Sequence, residues 1–144
     1  MDNVNNATIL NSDTLEYLSK FHEPEISACS LLKAFFAKLY MSKIYEVKED
    51  LSPFFIYLKD NEKYEKILSD IHFKSNGIFM FSNELEDGIA FLKNLNLLYT
   101  EVVSNHKLYI RYDFSEAKRD FEKLSKQHQI LISDIVDEYI HFIK

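Results

Sequence analysis

Residues 82–112, SNELEDGIAFLKNLNLLYTEVVSNHKLYIRY, constrain the fold of this chain more than any other segment. Ser82 or Asn83 precedes a run of apolar residues at helical spacing, and Glu86 stands at the capping-box position relative to Asn83. Two short runs rich in apolar and β-branched residues follow, and Ser104-Asn105-His106 between them suits a tight loop. The segment therefore predicts one amphipathic helix that leads directly into a short β-hairpin.

A helix followed by a two-stranded wing is typical of the second half of a winged helix. Only 2 Gly and 2 Pro are available for turns, whereas 12 Phe and 9 Tyr can fill a core, so helices should dominate. A chain of this length is expected to form one domain. We expect a mainly α fold with a small β-hairpin (α+β). We also expect residues 1–12 to form a flexible N-terminus and residues 13–144 to form a winged-helix domain in which residues 114–144 are a long C-terminal helix.

Before the wing, two helices are predicted in the first third of the chain. A capping box at Asp13-Thr-Leu-Glu16 begins a short helix that ends near His22. The next helix, from about Glu25 to Tyr45, is expected at the centre of the fold because its apolar stripe is wide. The stripe consists of Ile26, Cys29, Leu31, Leu32, Phe35, Phe36, Leu39 and Tyr40.

A charged connector, residues 46–50, separates the central helix from a helical stretch over Pro53 to Ser75 that is broken near Asp60-Asn61. Asn76-Gly77 has two interpretations. It is a strong signal for a hairpin turn, and it also suits a helix end with Gly77 as the left-handed cap. We favour the helix end.

The segment Ile78-Phe-Met-Phe81 is then expected to be a short buried strand. The buried face of the helix after it consists of Leu85, Gly88, Ile89, Leu92 and Leu95. Glycine inside a helix costs about 1 kcal/mol relative to alanine, so Gly88 on this face indicates close approach by another element. The expected hairpin pairs are Val102 with Leu108, Thr100 with Ile110, and Leu98 with Tyr112.

The C-terminal segment from Ser115 to Ile143 predicts one long helix, or two nearly continuous ones. Beyond Gln129 its apolar arc widens, so one stripe can pack on the core while a second is left for a partner. The second stripe consists of Ile132, Val136, Tyr139, Ile140 and Ile143. We expect it to bind another protein or a second copy of the chain. The alternative is that the N-terminal helix covers it within one chain.

The sequence lacks the residue patterns of an enzyme or a metalloprotein. Its five His have no metal-ligand spacing, and the Glu138-x-x-His141 step has no second copy as a di-iron site needs. Two glycines cannot build a phosphate-binding loop, and the single Cys29 stands among apolar residues, as a structural thiol does. We expect no catalytic, metal or cofactor site, no small-molecule substrate, no membrane span and a cytoplasmic location.

Charge argues for a protein partner and against nucleic acid. The chain carries a formal charge of −6, and 15 of its 17 basic residues are Lys, which contacts phosphate and guanine less specifically than Arg does. The exposed face of the helix before the wing should present Glu86, Asp87 and Asn94 to a partner. The alternative function is a homodimeric DNA-binding regulator, or an antitoxin. In that case Lys93, Lys107 and Arg111 would contact DNA.

A resemblance to known proteins rests on Gly77-Ile-Phe-Met-Phe-Ser-Asn-Glu-Leu85, followed by Ile89, Leu92, Leu95 and Leu97-Leu98. This pattern is similar to the winged-helix segment of several families of small bacterial accessory proteins. They include middle components of three-component systems built around an SMC-like ABC ATPase, among them Lamassu-type anti-phage defence systems, and Panacea-type antitoxins. The proline and glycine often found there are replaced by Ile78 and Asn96. The resemblance implies a non-catalytic subunit that docks on a larger protein such as the ATPase.

Overall fold

The computed structural model describes residues 26–101 and 106–144, and within them the fold is mixed α+β, as predicted. The elements are α1 (Ala28–Met41), β1 (Glu46–Lys48), α2 (Ser52–Lys59), β2 (Lys74–Ser75), β3 (Met80–Phe81), α3 (Asn83–Asn94), β4 (Leu98–Tyr99), β5 (Lys107–Ile110), α4 (Phe114–Glu122) and α5 (Lys126–Phe142). A short 3₁₀ helix, Glu62–Tyr64, follows α2. The predicted N-terminus over residues 1–12, the predicted helix from Asp13 to His22 and most of the predicted loop of the wing lie outside the described residues.

The central element is α1, as its wide apolar stripe predicts. It packs against α3, α4 and α5, and eight of its side chains are buried. Two oxygens satisfy backbone donors at its start: Ser27 Oγ accepts from the Ser30 N–H, and the Asp70 carboxylate accepts from the Ala28 N–H at 2.7 Å. The contact from Asp70 ties the turn before the β2–β3 hairpin to the central helix.

A three-stranded antiparallel sheet with the order β1-β5-β4 lies beside the helices. The expected connector over residues 46–50 is therefore wrong, because Glu46–Lys48 pairs with β5 and buries Val47 opposite Leu108. The hairpin register also differs from the prediction, since Leu98 lies opposite Ile110. A shift of two residues keeps Leu98, Ile110 and Tyr112 on their predicted face, and all three are buried.

The stretch between α2 and α3 contains less helix than predicted. The break at Asp60 is confirmed, but residues 65–70 form turns, and Lys74–Ser75 pairs with Met80–Phe81 as a hairpin. The favoured helix end at Gly77 is therefore wrong, and the hairpin alternative is correct. Four buried side chains of this stretch nevertheless stand at helical spacing, and they are Tyr64, Ile67, Leu68 and Ile71.

The C-terminal segment forms two helices, α4 and α5, so the expected single long helix over residues 114–144 is wrong and the alternative of two helices is correct. Ser125 Oγ accepts a hydrogen bond from the His128 N–H and caps α5, so the chain turns between the helices. Both helices pack on α1, and α5 also contacts α2. The C-terminal segment therefore belongs to the core.

The close approach predicted at Gly88 is confirmed. A β-carbon built at Gly88 in α3 would lie 2.6 Å from Leu32 Cδ1 and 3.7 Å from the Cα of Cys29, both in α1. The glycine thus leaves room for the Leu32 side chain, which would have to move if any other residue stood at this position. Asn96 lies just after the end of α3 and has a φ of 63°, in the left-handed region. Asn tolerates this conformation better than most residues.

Candidate protein-binding surface

The tip of the β2–β3 hairpin exposes large apolar side chains. Ile78, Phe79 and Met80 are 87%, 59% and 45% exposed. The expected buried strand over residues 78–81 is therefore wrong, because the first two of these residues lie in the turn and only Met80 and Phe81 are paired. A group of neighbouring exposed apolar side chains commonly marks a contact site. Sequence reasoning missed this surface, although the hairpin interpretation of Asn76-Gly77 would have placed the turn there.

Hydrogen bonds hold the hairpin turn in one conformation. Asn76 Oδ1 accepts from the N–H groups of Ile78 and Phe79 at 2.9 and 3.0 Å, and Ser75 Oγ accepts from the Gly77 N–H at 3.1 Å. Gly77 has a φ of 91°, a conformation that side-chain-bearing residues rarely adopt. The apolar side chains are thus presented by a defined turn.

Glu84 fastens the base of the hairpin to the start of α3. Its Oε1 accepts from the His72 N–H at 2.9 Å and from the Ser82 hydroxyl at 3.1 Å. Ser82 Oγ in turn accepts from the Leu85 N–H, so Ser82 and not Asn83 is the cap of the helix. Burial raises the pKa of Glu84, but hydrogen bonds from the backbone N–H groups of His72 and Glu84 and from Ser82 hold that pKa below its usual value.

Replacing Glu84 with Gln should lower the free energy of unfolding by about 1–2 kcal/mol at pH 7, because hydrogen bonds to a charged acceptor are replaced by weaker ones. A depressed pKa stabilises the fold fully above the ordinary carboxyl pKa of about 4.3, and this stabilisation is lost as the pH falls through the lower folded value. Urea unfolding measures the free energy of unfolding of the unmodified chain and of Glu84→Gln. The difference between these two values should be smaller at about pH 3 than at pH 7. Glu86→Gln, an exposed position in the same helix, is the control and should change stability by less than about 0.5 kcal/mol. An equal difference at both pH values would contradict this role.

A cleft of about 170 Å³ lies beside the hairpin, with the start of α2 and one face of α3 among its walls. Its apolar lining comes from Leu51, Phe79, Met80, Phe81, Leu85 and Ile89, and its polar lining from Glu49, Asp50, Ser52 and Glu86. Three carboxylates and no basic side chain are among these described lining residues. Leu51 and Leu85 are buried whereas Glu49, Asp50 and Glu86 are exposed, so we call the three carboxylates the rim of the cleft.

The three residues predicted to face a partner on α3 are all exposed. They are Glu86, Asp87 and Asn94, and Glu86 is also one of the carboxylates that line the cleft. Phe91 and Leu95 add exposed apolar surface to the same helix, although Leu95 was expected on the buried face. The exposed side of α3 thus combines acidic and apolar groups next to the hairpin.

The stripe predicted for partner binding in the C-terminal segment is largely core. Its members are Ile132, Val136, Tyr139, Ile140 and Ile143. The first three are buried, the fourth is half-buried, and only the last is exposed. The Tyr139 ring lies 5.8 Å from the ring of Phe35 in α1 and 5.1 Å from that of Phe54 in α2. The expectation of a stripe left free for a partner is wrong, because α1 and α2 cover it with aromatic side chains.

Two of the three cations considered for DNA contact are engaged within the chain. Lys107 Nζ lies 3.3 Å from a carboxylate oxygen of Glu46, and the Arg111 guanidinium lies over the Tyr99 ring, 4.6 Å from its centre. Lys93 is half-buried in α3, whose first turn carries Glu84 and Glu86. Lys93, Lys107 and Arg111 therefore create only a weak positive potential for binding a phosphate backbone.

The described residues hold no group of three or more His, Cys, Asp or Glu side chains placed to bind a metal ion. Cys29 is half-buried in α1, and burial, partly opposed by Lys33, raises the pKa of its thiol. A raised pKa disfavours the reactive thiolate. None of the helices in the described part of the chain has the length and apolar character needed to cross a membrane.

Comparison with protein families, with curated proteins and with solved structures gives no match. The features that bear on function are therefore those of the chain itself. They are the apolar hairpin tip, the acid-rimmed cleft and the exposed side of α3.

Proposed function

We propose that this chain is a non-catalytic winged-helix subunit that binds another protein through the hairpin tip, the cleft and the exposed side of α3. The observation that carries the proposal is the ordered exposure of Ile78, Phe79 and Met80 beside an acid-rimmed cleft. The partner is a larger subunit of a bacterial multiprotein complex. An SMC-like ATPase of an anti-phage defence assembly is the example that the resemblance of residues 77–98 suggests.

The order of elements supports the winged-helix part of the proposal. A winged helix places a strand between its first two helices and pairs that strand with the hairpin that follows its third helix. Here β1 lies between α1 and α2, and it pairs with the second strand of the β4–β5 hairpin after α3. The β2–β3 hairpin is an addition between the second and third helices, and it provides the apolar tip.

The charge of α3 supports a protein partner. In helix-turn-helix proteins, the helix in this position enters the major groove and needs side chains that read bases and tolerate phosphates. In this chain its exposed side carries Glu86, Asp87 and Phe91, and the whole chain has a charge of −6. Such a surface repels a phosphate backbone and complements a basic protein surface.

Capture experiments test this function with a pair of variants. The tagged full chain should retain one stoichiometric larger protein from lysate of its native host, identified by mass spectrometry. Glu86→Lys/Asp87→Lys should reduce that capture at least fivefold by slowing association, and the reduction should be greater at low salt. The control, Glu116→Lys/Glu122→Lys on the exposed side of α4, carries the same change in charge and should leave capture unchanged.

Fluorescence anisotropy with duplex DNA tests the rival function. The purified chain should show no binding at about 0.15 M salt. Submicromolar affinity that is lost on changing Lys93 and Lys107 to Glu would replace the proposal with a DNA-binding regulator. Capture of no protein other than the chain itself, unaffected by either pair of reversals, would also overturn it.

A further inference from the structure

The cleft between the β2–β3 hairpin and α3 has the properties of a docking site for one kind of peptide. We infer that it binds a segment of a different protein in which one large apolar side chain is flanked by Lys or Arg. This inference rests on the proposed function and gives the chemistry of the partner.

The size and lining of the cleft select the apolar anchor. Its volume is about 170 Å³, and an apolar cavity of about 150 Å³ accommodates a benzene-sized group. Leu51 and Leu85 at the cleft are buried, while Phe79 and Met80 stand exposed at its edge. An aromatic or leucine side chain that enters would therefore contact apolar atoms from the hairpin and from α3 together, as anchors of bound peptides do.

The rim of the cleft selects the flanking charges. The three carboxylates of Glu49, Asp50 and Glu86 lie around the apolar lining. Asp50 accepts a hydrogen bond from the Ser52 N–H, and Glu49 lies 3.8 Å from an exposed His106 nitrogen. Neither contact brings in a Lys or Arg, so the rim keeps an excess of negative charge. Carboxylates around a cleft attract cations and raise their association rate.

Charge also identifies the occupant as a different protein. Residues 1–25 of the chain contain five carboxylate side chains and one Lys, so this segment is repelled by the acidic rim. A second copy brings a further charge of −6. A basic segment of another protein is the occupant that the rim attracts.

Selection from a library of random 15-residue peptides, using the intact chain as bait, tests the inference. Enriched peptides should carry one aromatic or leucine residue flanked by Lys or Arg. Changing the flanking basic residues of the best synthetic peptide to Glu should abolish binding. Phe79→Ala and Glu86→Lys should each weaken binding by about tenfold, Phe79→Ala through lost anchor contacts and Glu86→Lys mainly through slower association. The controls Phe114→Ala and Glu122→Lys, at exposed positions of α4, should change affinity less than about twofold.

A photo-crosslinker at the apolar position of the peptide should label the hairpin or α3, and circular dichroism should show that every variant is folded. Acidic or uncharged enriched peptides, labelling of other elements, or equal binding by Phe79→Ala would overturn the inference. Failure to enrich any peptide would also overturn the inference. If the capture experiment still retains a protein partner in that case, the proposed function stands and only the assigned partner chemistry is lost.

Discussion

Replacing Val136 with Asp should lower the free energy of unfolding by about 2.5–6 kcal/mol. Val136 in α5 is 2% exposed, so the change removes about 1.5–3 kcal/mol of apolar burial and places a carboxyl group in the core at a further cost of about 1–3 kcal/mol or more. Domains are stable by about 5–15 kcal/mol, so the change should remove a large fraction of the total stability. Circular dichroism during thermal and urea unfolding would measure the loss, with a fall in Tm of at least about 10 °C.

Ile130→Asp is the matched control, because it introduces the same side chain into the same helix. Ile130 is 62% exposed, and the change should alter stability by less than about 1 kcal/mol. If Val136→Asp instead left the monomer as stable as Ile130→Asp and only abolished an assembly, the C-terminal stripe would be an interface after all. That result would contradict the assignment of Val136 to the core of the monomer.

The second large effect is expected at Phe35, the centre of an aromatic cluster that joins three helices. Its ring centre lies 5.4–6.0 Å from those of Phe36, Phe54, Phe55 and Tyr139. Phe35→Ala removes these contacts and leaves a cavity where α1, α2 and α5 meet, which typically costs about 3–5 kcal/mol. Urea unfolding should show the loss as a lower midpoint, and calorimetry as a lower Tm.

The control for this prediction is Phe91→Ala, because Phe91 is half exposed on α3 and lies outside the cluster. Replacing Phe91 with Ala loses the buried part of the ring but gains helix propensity, because alanine is the better helix former. These two effects on the free energy of unfolding should nearly cancel. A loss of less than about 1 kcal/mol at Phe35 would show that the cluster collapses around the deletion without a cavity.

Periodicity predicted the helices and most of their buried faces from the sequence alone. The stripe of α1, the start of α3 at Ser82 or Asn83 and the close approach at Gly88 follow from residue types at fixed spacings along one element. The hairpin faces also followed, because a register error of two residues leaves the alternation intact. These features depend on neighbours that are close in sequence.

The features that sequence reasoning missed depend on neighbours that are distant in sequence. Glu46–Lys48 has one apolar residue and becomes a strand only because the edge of β5 is there to pair with. The width of the apolar arc in α5 was correct, but its cover by Phe35 and Phe54 depends on how three helices meet. Likewise, four consecutive apolar residues before α3 resemble core, and only the hairpin geometry places Ile78 and Phe79 outside.

The absence of a side chain at Gly88 has a consequence for how tightly the proposed partner would bind. With no β-carbon at Gly88, α3 packs closely on α1, and the end of the Leu32 side chain fills the space beside the glycine. Glu84, which belongs to α3, holds the base of the β2–β3 hairpin against the start of α3. A surface held in this way is already ordered before an encounter, so little conformational entropy is lost when a partner docks. Exposed side chains of α3 such as Asp87 and Phe91 can therefore be exchanged for others without altering the core, which would make this helix a scaffold for binding a chosen protein.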